Sequence, residues 1–214
     1  MQRYADRADA GRRLAQELLA VRDVLVLGLP RGGVPVAFEV AKAVGAALDV
    51  IVVRKLGVPR QPELAFGAIG EGGVRVLNDA VLRHVRVSDA EIAKVQSAQR
   101  TELQRRVQRY RGDRASIPLT GRVVVIVDDG FATGSTARAA CLVARAHGAA
   151  RVILAAPIGS PDTVAELRHD ADDVVCPFAP TDFSAVGQGY DNFRQTCDEE
   201  VCALLHSASH GFTQ

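Results

Sequence analysis

The sequence predicts an α/β fold, a parallel five-stranded sheet flanked by helices, with an inserted hairpin and long helix. Three observations predict it. Short apolar runs rich in β-branched residues begin near positions 24, 48, 122, 151 and 173, as suits strands buried on both faces. Helix-forming stretches alternate with them, which implies right-handed βαβ crossovers. The 48% hydrophobic content can build one sizeable core, so the 214 residues read as a single domain, 1–214.

In chain order, residues 6–20 read as a helix with Leu14, Leu18 and Leu19 on one face and arginines on the other. Residues 24–29 form the first strand. Pro30-Arg31-Gly32-Gly33 follows, and helical spacing resumes over 36–44. The two glycines let backbone approach a ligand and Arg31 adds a fixed positive charge, a combination suited to a diphosphate; a tight turn with a solvated arginine is the other reading. Residues 48–53 form the next strand and deliver Arg54 and Lys55 to its carboxyl end, where ligands sit in open α/β sheets. A solvated basic turn is again the alternative.

Two alternating runs around Gly70-Glu71-Gly72-Gly73 read as a hairpin over 66–77. Residues 88–111 form a long helix that starts at a Ser88/Glu91 capping box and carries Ile92, Val95, Leu103 and Val107 at helical spacing. It has three open roles: packing on the sheet, covering a site, or pairing with another subunit. The arginines in and just after it (Arg100, Arg105, Arg106, Arg109, Arg111 and Arg114) read as a solvated face. Glu102 and Asp113 interrupt them and the chain's net charge is only +1, which argues against nucleic acid.

Residues 123–127 form an unbroken apolar strand that ends in Asp128 and Asp129. Gly130 to Thr136 offers small residues and hydroxyls, and 137–146 reads as a helix. A helix start leaves backbone N–H groups unpartnered, ready for an anion. The two carboxylates must face something hydroxyl-rich or cationic, so a sugar phosphate fits; an ordinary strand-to-helix turn is the alternative. No lysine follows the glycines, so this is not a Walker A loop. The acids are adjacent, which speaks against an aspartyl-phosphatase loop.

A strand over 151–157, a short helix over 162–169 and a strand over 173–176 complete the sheet, and 197–205 closes the chain as a helix. Cys141, Cys176, Cys197 and Cys202 form no CxxC pair and read as free thiols of a cytoplasmic protein. No apolar run approaches the ~20 residues of a membrane span. The first residues lack the apolar segment of a secretory signal.

The stretch Asp128-Asp129-Gly130-Phe131-Ala132-Thr133-Gly134-Ser135-Thr136 resembles the phosphoribosyl-pyrophosphate (PRPP) loop of type I phosphoribosyltransferases. The resemblance covers the sheet from about 24 to 176. It implies a phosphoribosyltransferase-like core at about 21–177, an insertion at 56–115, and a hood at about 178–194 with the N-terminal helix. It implies that Asp128 and Asp129 bind the ribose hydroxyls, and that Ala132, Thr133, Gly134, Ser135 and Thr136 bind the 5-phosphate. Pro30, Arg31, Gly32, Gly33, Arg54 and Lys55 would bind pyrophosphate, in a loop that often carries a cis peptide in the family. Residues after Lys55 would form a mobile loop over the site.

Asp129, Lys55 and Arg31 are the implied catalytic set. Magnesium (Mg2+) would be held mainly through PRPP, with Asp128 and Asp129 as further donors. Phe178, Phe183 and Tyr190 would face a nucleobase-like acceptor, or else pack a minicore of the hood. The implied activity is transfer of ribose 5-phosphate from PRPP to a nitrogen acceptor, with release of pyrophosphate. A PRPP-binding regulatory protein without transfer is the alternative. The expected partners are small molecules, with neither nucleic acid nor membrane, and the family allows a homodimer.

Overall fold

The computed structural model describes residues 3–85 and 87–211. Five strands, β1 (Val24–Gly28), β2 (Ala47–Val50), β6 (Val123–Val127), β7 (Arg151–Ala155) and β8 (Asp173–Val175), form one parallel sheet in the order β2-β1-β6-β7-β8. Alternate side chains divide between two cores. Leu25, Leu27, Val124 and Ile126 pack with Ala140, Val143 and Ala144 of helix α5 (Ser135–Ala146). Val26, Val125 and Val127 face the other way. They pack with Val36 and Val40 of α2 (Gly33–Val44), Leu14 of α1 (Arg7–Gln16) and Val201 of α7 (Asp198–Ser209).

The insertion differs from expectation in two ways. The apolar run at 48–53 does not form one strand: β2 ends at Val50, and β3 (Val53–Val58) opens a separate antiparallel sheet with β4 (Gln61–Gly70) and β5 (Arg75–Leu77). Arg54 and Lys55 therefore lie within a strand of the second sheet, and most of the stretch expected as a mobile loop is paired in it. The reason is that Ile51 and Val52 are buried between the sheets, so apolar character continues while hydrogen-bond partners change. The hairpin around residues 70–73 is present as β4–β5, joined by a short 3-10 turn with Gly72 at φ 65° and Gly73 at φ 79°. A short helix α3 (Asp79–Val85) follows, where no element was expected.

The long helix α4 (Asp89–Arg111) starts at the Ser88/Glu91 capping box and buries Leu103 and Tyr110. It packs against β3 and α7. Its last residue, Arg111, is 7% exposed and fastens the helix to the main sheet. Nη1 donates to both oxygens of buried Asp49 (2.6 and 2.7 Å), Nη2 to the Val50 carbonyl (2.7 Å), and Nε to Glu71 Oε2 (2.5 Å). Asp49 also accepts from the Ile117 amide at 3.0 Å, so the linker after α4 is tied to the same group.

α6 (Pro161–Leu167) connects β7 to β8. The N-terminal residues and the segment before α7 build the hood together. Tyr4 N donates to Gly189 O (2.8 Å), and the amides of Asp191 and Asn192 donate back to Tyr4 O and Ala5 O. Tyr4, Ala10, Ile158 and Tyr190 form its minicore, with Phe178, Phe183 and Val186 packed against them. Among the described residues, no helix is long and apolar enough to cross a membrane.

Candidate ligand site at the carboxyl ends of β1 and β6

β1 and β6 are parallel neighbours in register, Gly28 beside Val127. The segments that leave them therefore emerge side by side. Leu29 N donates to Val127 O (2.9 Å), and the peptide bond between Pro30 and Arg31 is cis. A Cβ added at Gly32 would stand 1.9 Å from Asp129 Oδ2; one at Gly33 would stand 2.4 Å from Val127 O. These glycines are thus required by the packing of one loop on the other, besides any approach of a ligand.

The acidic pair is asymmetric. Asp129 Oδ2 accepts from Arg7 Nε (2.8 Å) and lies 2.7 Å from Arg7 Nη2; the two side chains are 16% and 11% exposed. Arg7 reaches in from the first turn of α1. Its Nη1 donates to Arg194 O (2.6 Å), and its guanidinium lies 4.1 Å from the Phe193 ring centroid. Tyr190 OH donates to Asp129 O (2.6 Å). Asp128 keeps some exposed surface but its carboxyl is densely surrounded, and Oδ1 accepts from Asp129 N at 2.9 Å. Burial, and then the neighbouring Asp129, push the Asp128 carboxyl well above the usual carboxylate range.

Beyond the acids, Phe131 is buried and pins the loop to the β7–α6 connection. Its amide donates to Ile158 O and its carbonyl accepts from Ser160 N, both at 2.9 Å. Thr163 Oγ1 donates to Ala132 O (2.6 Å). Gly134 sits at φ 69° immediately before α5 and has no side chain to cap it; a long 3.5 Å hydrogen bond from Ser135 N to Thr133 Oγ1 is the side-chain contact at that helix start. Ala132, Thr133 and Thr136 are exposed there, and Thr133 and Ser135 share a hydroxyl hydrogen bond of 3.1 Å. A helix start capped this weakly, beneath exposed hydroxyls, can take a phosphate.

A cavity of about 170 Å³ adjoins this loop. Pro30, Arg54, Lys55 and Thr136 line it, as do the apolar residues Leu29 and Ile51 to Val53, and so does Arg106 from α4. Arg54 Nε donates to Gln99 Oε1 (2.7 Å), and Arg106 Nε donates to Glu102 Oε1 (2.6 Å). Burial, then the nearby Arg106 charge, lower the Arg54 pKa. The Arg31 guanidinium lies 3.8 Å from Asp198 Oδ1, at the start of α7, where Tyr110 OH also donates to Asp198 (2.8 Å). Burial and that contact push the Tyr110 hydroxyl up to about 12.

The structure therefore brings Pro30, Arg54, Lys55 and Thr136 to one cavity, and sets Gly32 and Gly33 against Asp128 and Asp129. It turns the Arg31 side chain toward α7. In the hood, Tyr190 is 3% exposed and lies against Tyr4 and Phe193, whereas Phe178 and Phe183 are half-buried. Sequence reasoning missed Arg7 and Arg106. Neither belongs to a local motif, and only the i, i+4 pairing of Glu102 with Arg106 gave any sign that Arg106 is oriented.

Among the described residues, no group of three His, Cys, Asp or Glu side chains could hold a metal. Asp128 and Asp129 offer hard oxygen donors, which fits a magnesium ion that takes most of its shell from ligand phosphates and water.

The family model described as phosphoribosyl transferase domain matches residues 2–192. Two curated proteins from Mycobacterium tuberculosis strains, whose names provisionally call them phosphoribosyl transferases, are each 62% identical over 216 aligned positions. The match takes in all of this chain and 49% of theirs, so the chain spans about half the length of the curated relatives it matches. The crystal structure of TT1426 from Thermus thermophilus matches at 45% identity with a TM-score of 0.89, over 95% of this chain and 98% of that one.

Proposed function

This chain belongs to the phosphoribosyl transferase domain family, and from that premise we propose that it moves the ribose 5-phosphate of PRPP to a nitrogen acceptor and releases pyrophosphate. One observation carries the reading. The glycine loop after β1 and the acidic loop after β6 meet at the carboxyl ends of adjacent parallel strands, beside a cavity lined by cations.

In this reading the amides and hydroxyls from Ala132 to Thr136 hold the 5-phosphate. Asp128 and Asp129 accept from the ribose hydroxyls. Pro30, Gly32 and Gly33 give backbone to the diphosphate, and Arg54 and Lys55 supply charge, joined by Arg31 if its side chain leaves Asp198. Displacement at the anomeric carbon passes through a state with oxocarbenium character. That state needs a neutralised leaving group and a nearby carboxylate more than covalent help, and Asp129 is the carboxylate assigned to it. Asp128 and Asp129 would offer oxygen donors to a magnesium ion arriving with PRPP, and the ion would supply positive charge that further neutralises the diphosphate. Phe178 and Phe183 offer ring faces to a flat nucleobase-like acceptor, while Tyr190 holds the backbone of Asp129. The free cysteines fit a reducing cytoplasm.

The test is incubation with PRPP, magnesium and a panel of nucleobases, following pyrophosphate. Release that depends on one base names the acceptor. A second reading, PRPP binding for regulation without transfer, is favoured by the Arg7–Asp129 pair, which already engages the carboxylate assigned to the reacting centre. PRPP binding with no pyrophosphate release across the panel would select it.

A further inference from the structure

Three cations, Arg54, Lys55 and Arg106, line the cavity beside the glycine loop, and among the described residues its lining contains no carboxylate. Arg106 is the unexpected member, because it comes from the inserted helix α4, whereas Arg54 and Lys55 come from β3. Its position is set from behind. Arg106 Nε donates to Glu102 Oε1 at 2.6 Å, one turn earlier on the helix. The same carboxylate accepts from Arg105 Nε (2.8 Å) and Nη2 (3.0 Å), so one negative charge serves two guanidiniums. Those contacts hold the Glu102 carboxyl down at about 2, which favours its ionised form.

Across the cavity, Arg54 turns its Nε to the neutral amide of Gln99. Burial and the Arg106 charge both oppose the Arg54 charge. Like charges held together in partly desolvated space are an arrangement that an anion relieves. Guanidinium forks match neighbouring phosphate oxygens, and a diphosphate offers several, so it can meet cations from two walls at once.

We propose that Arg106 is a diphosphate-binding residue: α4 supplies the second wall of the subsite that holds the pyrophosphate of PRPP, and Glu102 aims it. The proposal rests on the PRPP reading given above. It gives the insertion a direct part in recognising the leaving group.

The experiment is calorimetric titration of the whole chain with PRPP, inorganic pyrophosphate and ribose 5-phosphate, for wild type, Arg106→Gln and Arg105→Gln. Arg105 shares Glu102 but does not line the cavity. In Arg106→Gln, affinity for PRPP and for pyrophosphate is expected to fall about 10-fold or more, the scale of a lost charge-assisted contact. Ribose 5-phosphate binding is expected to stay within about twofold, which also reports that the fold is intact. Arg105→Gln is expected to leave all three ligands near wild type. The proposal is overturned if Arg106→Gln binds PRPP as wild type does, if it loses ribose 5-phosphate equally, or if Arg105→Gln shows the same loss. If wild type itself binds no PRPP, the functional reading falls and takes this proposal with it.

Discussion

Arg111 and Arg106 lie on the same helix, little more than one turn apart, in opposite electrostatic circumstances. Arg111 meets two carboxylates and a carbonyl, and is almost wholly buried. Arg106 shares the Glu102 carboxylate with Arg105 and faces a cavity that already holds Arg54. A cation whose counter-charges are all built into the protein holds shape. A cation short of them is available to something that arrives. Counting arginines along α4 could not separate the two, because the partners of Arg111 come from β2 and the 70–73 turn, and the like charge that faces Arg106 comes from β3.

The largest expected effect breaks the first half of that comparison. Arg111→Met leaves Asp49 and Glu71 buried without their cation and should cost about 3–5 kcal/mol in urea unfolding. A cost below about 1 kcal/mol would mean that Arg111 is not the fastening it is taken to be. Arg7→Gln comes next, because Arg7 is paired within the protein and yet sits in the site. Losing its two contacts to Asp129 should cost about 1–3 kcal/mol of thermal stability.

Arg54→Gln sharpens the second half. Stability should stay within about 0.5 kcal/mol, while PRPP affinity drops about 10-fold in titration. If stability falls and affinity does not, Arg54 belongs with Arg111.

The last expected effect is on pH. The folded chain keeps a proton on Asp128 that the unfolded chain has already released, so it binds more protons than the unfolded chain. Stability therefore declines as pH rises from the ordinary carboxylate range to the raised value and then levels off, by at most about 1.4 kcal/mol per pH unit. PRPP affinity should rise over the same interval as the carboxylate forms. Asp128→Asn should flatten both curves.

Much of the fold was readable because its signals are local. The β6 run followed by two acids, the Ser88/Glu91 capping box and the glycine turn at 70–73 each declare themselves within a few residues. The break between β2 and β3 was not readable, since Ile51 and Val52 look the same whether the chain stays in one sheet or crosses to another. The loops of the candidate site were likewise visible as motifs. Arg7 and Arg106 were not, because each becomes part of the site only through folding: Arg7 lies 122 positions from Asp129, and nothing near either residue marks its destination. Tyr190 was singled out as a ring, but a tyrosine also carries a hydroxyl, and here that hydroxyl is spent on the Asp129 carbonyl.

The contact of Gly32 with Asp129 and of Gly33 with Val127 has a mechanical consequence. Where not even a methyl group fits between two segments, neither can shift alone. The acidic jaw and the glycine jaw would open and close as one part. A molecule that touches either would be felt by both, and recognition of its two ends would be a single event.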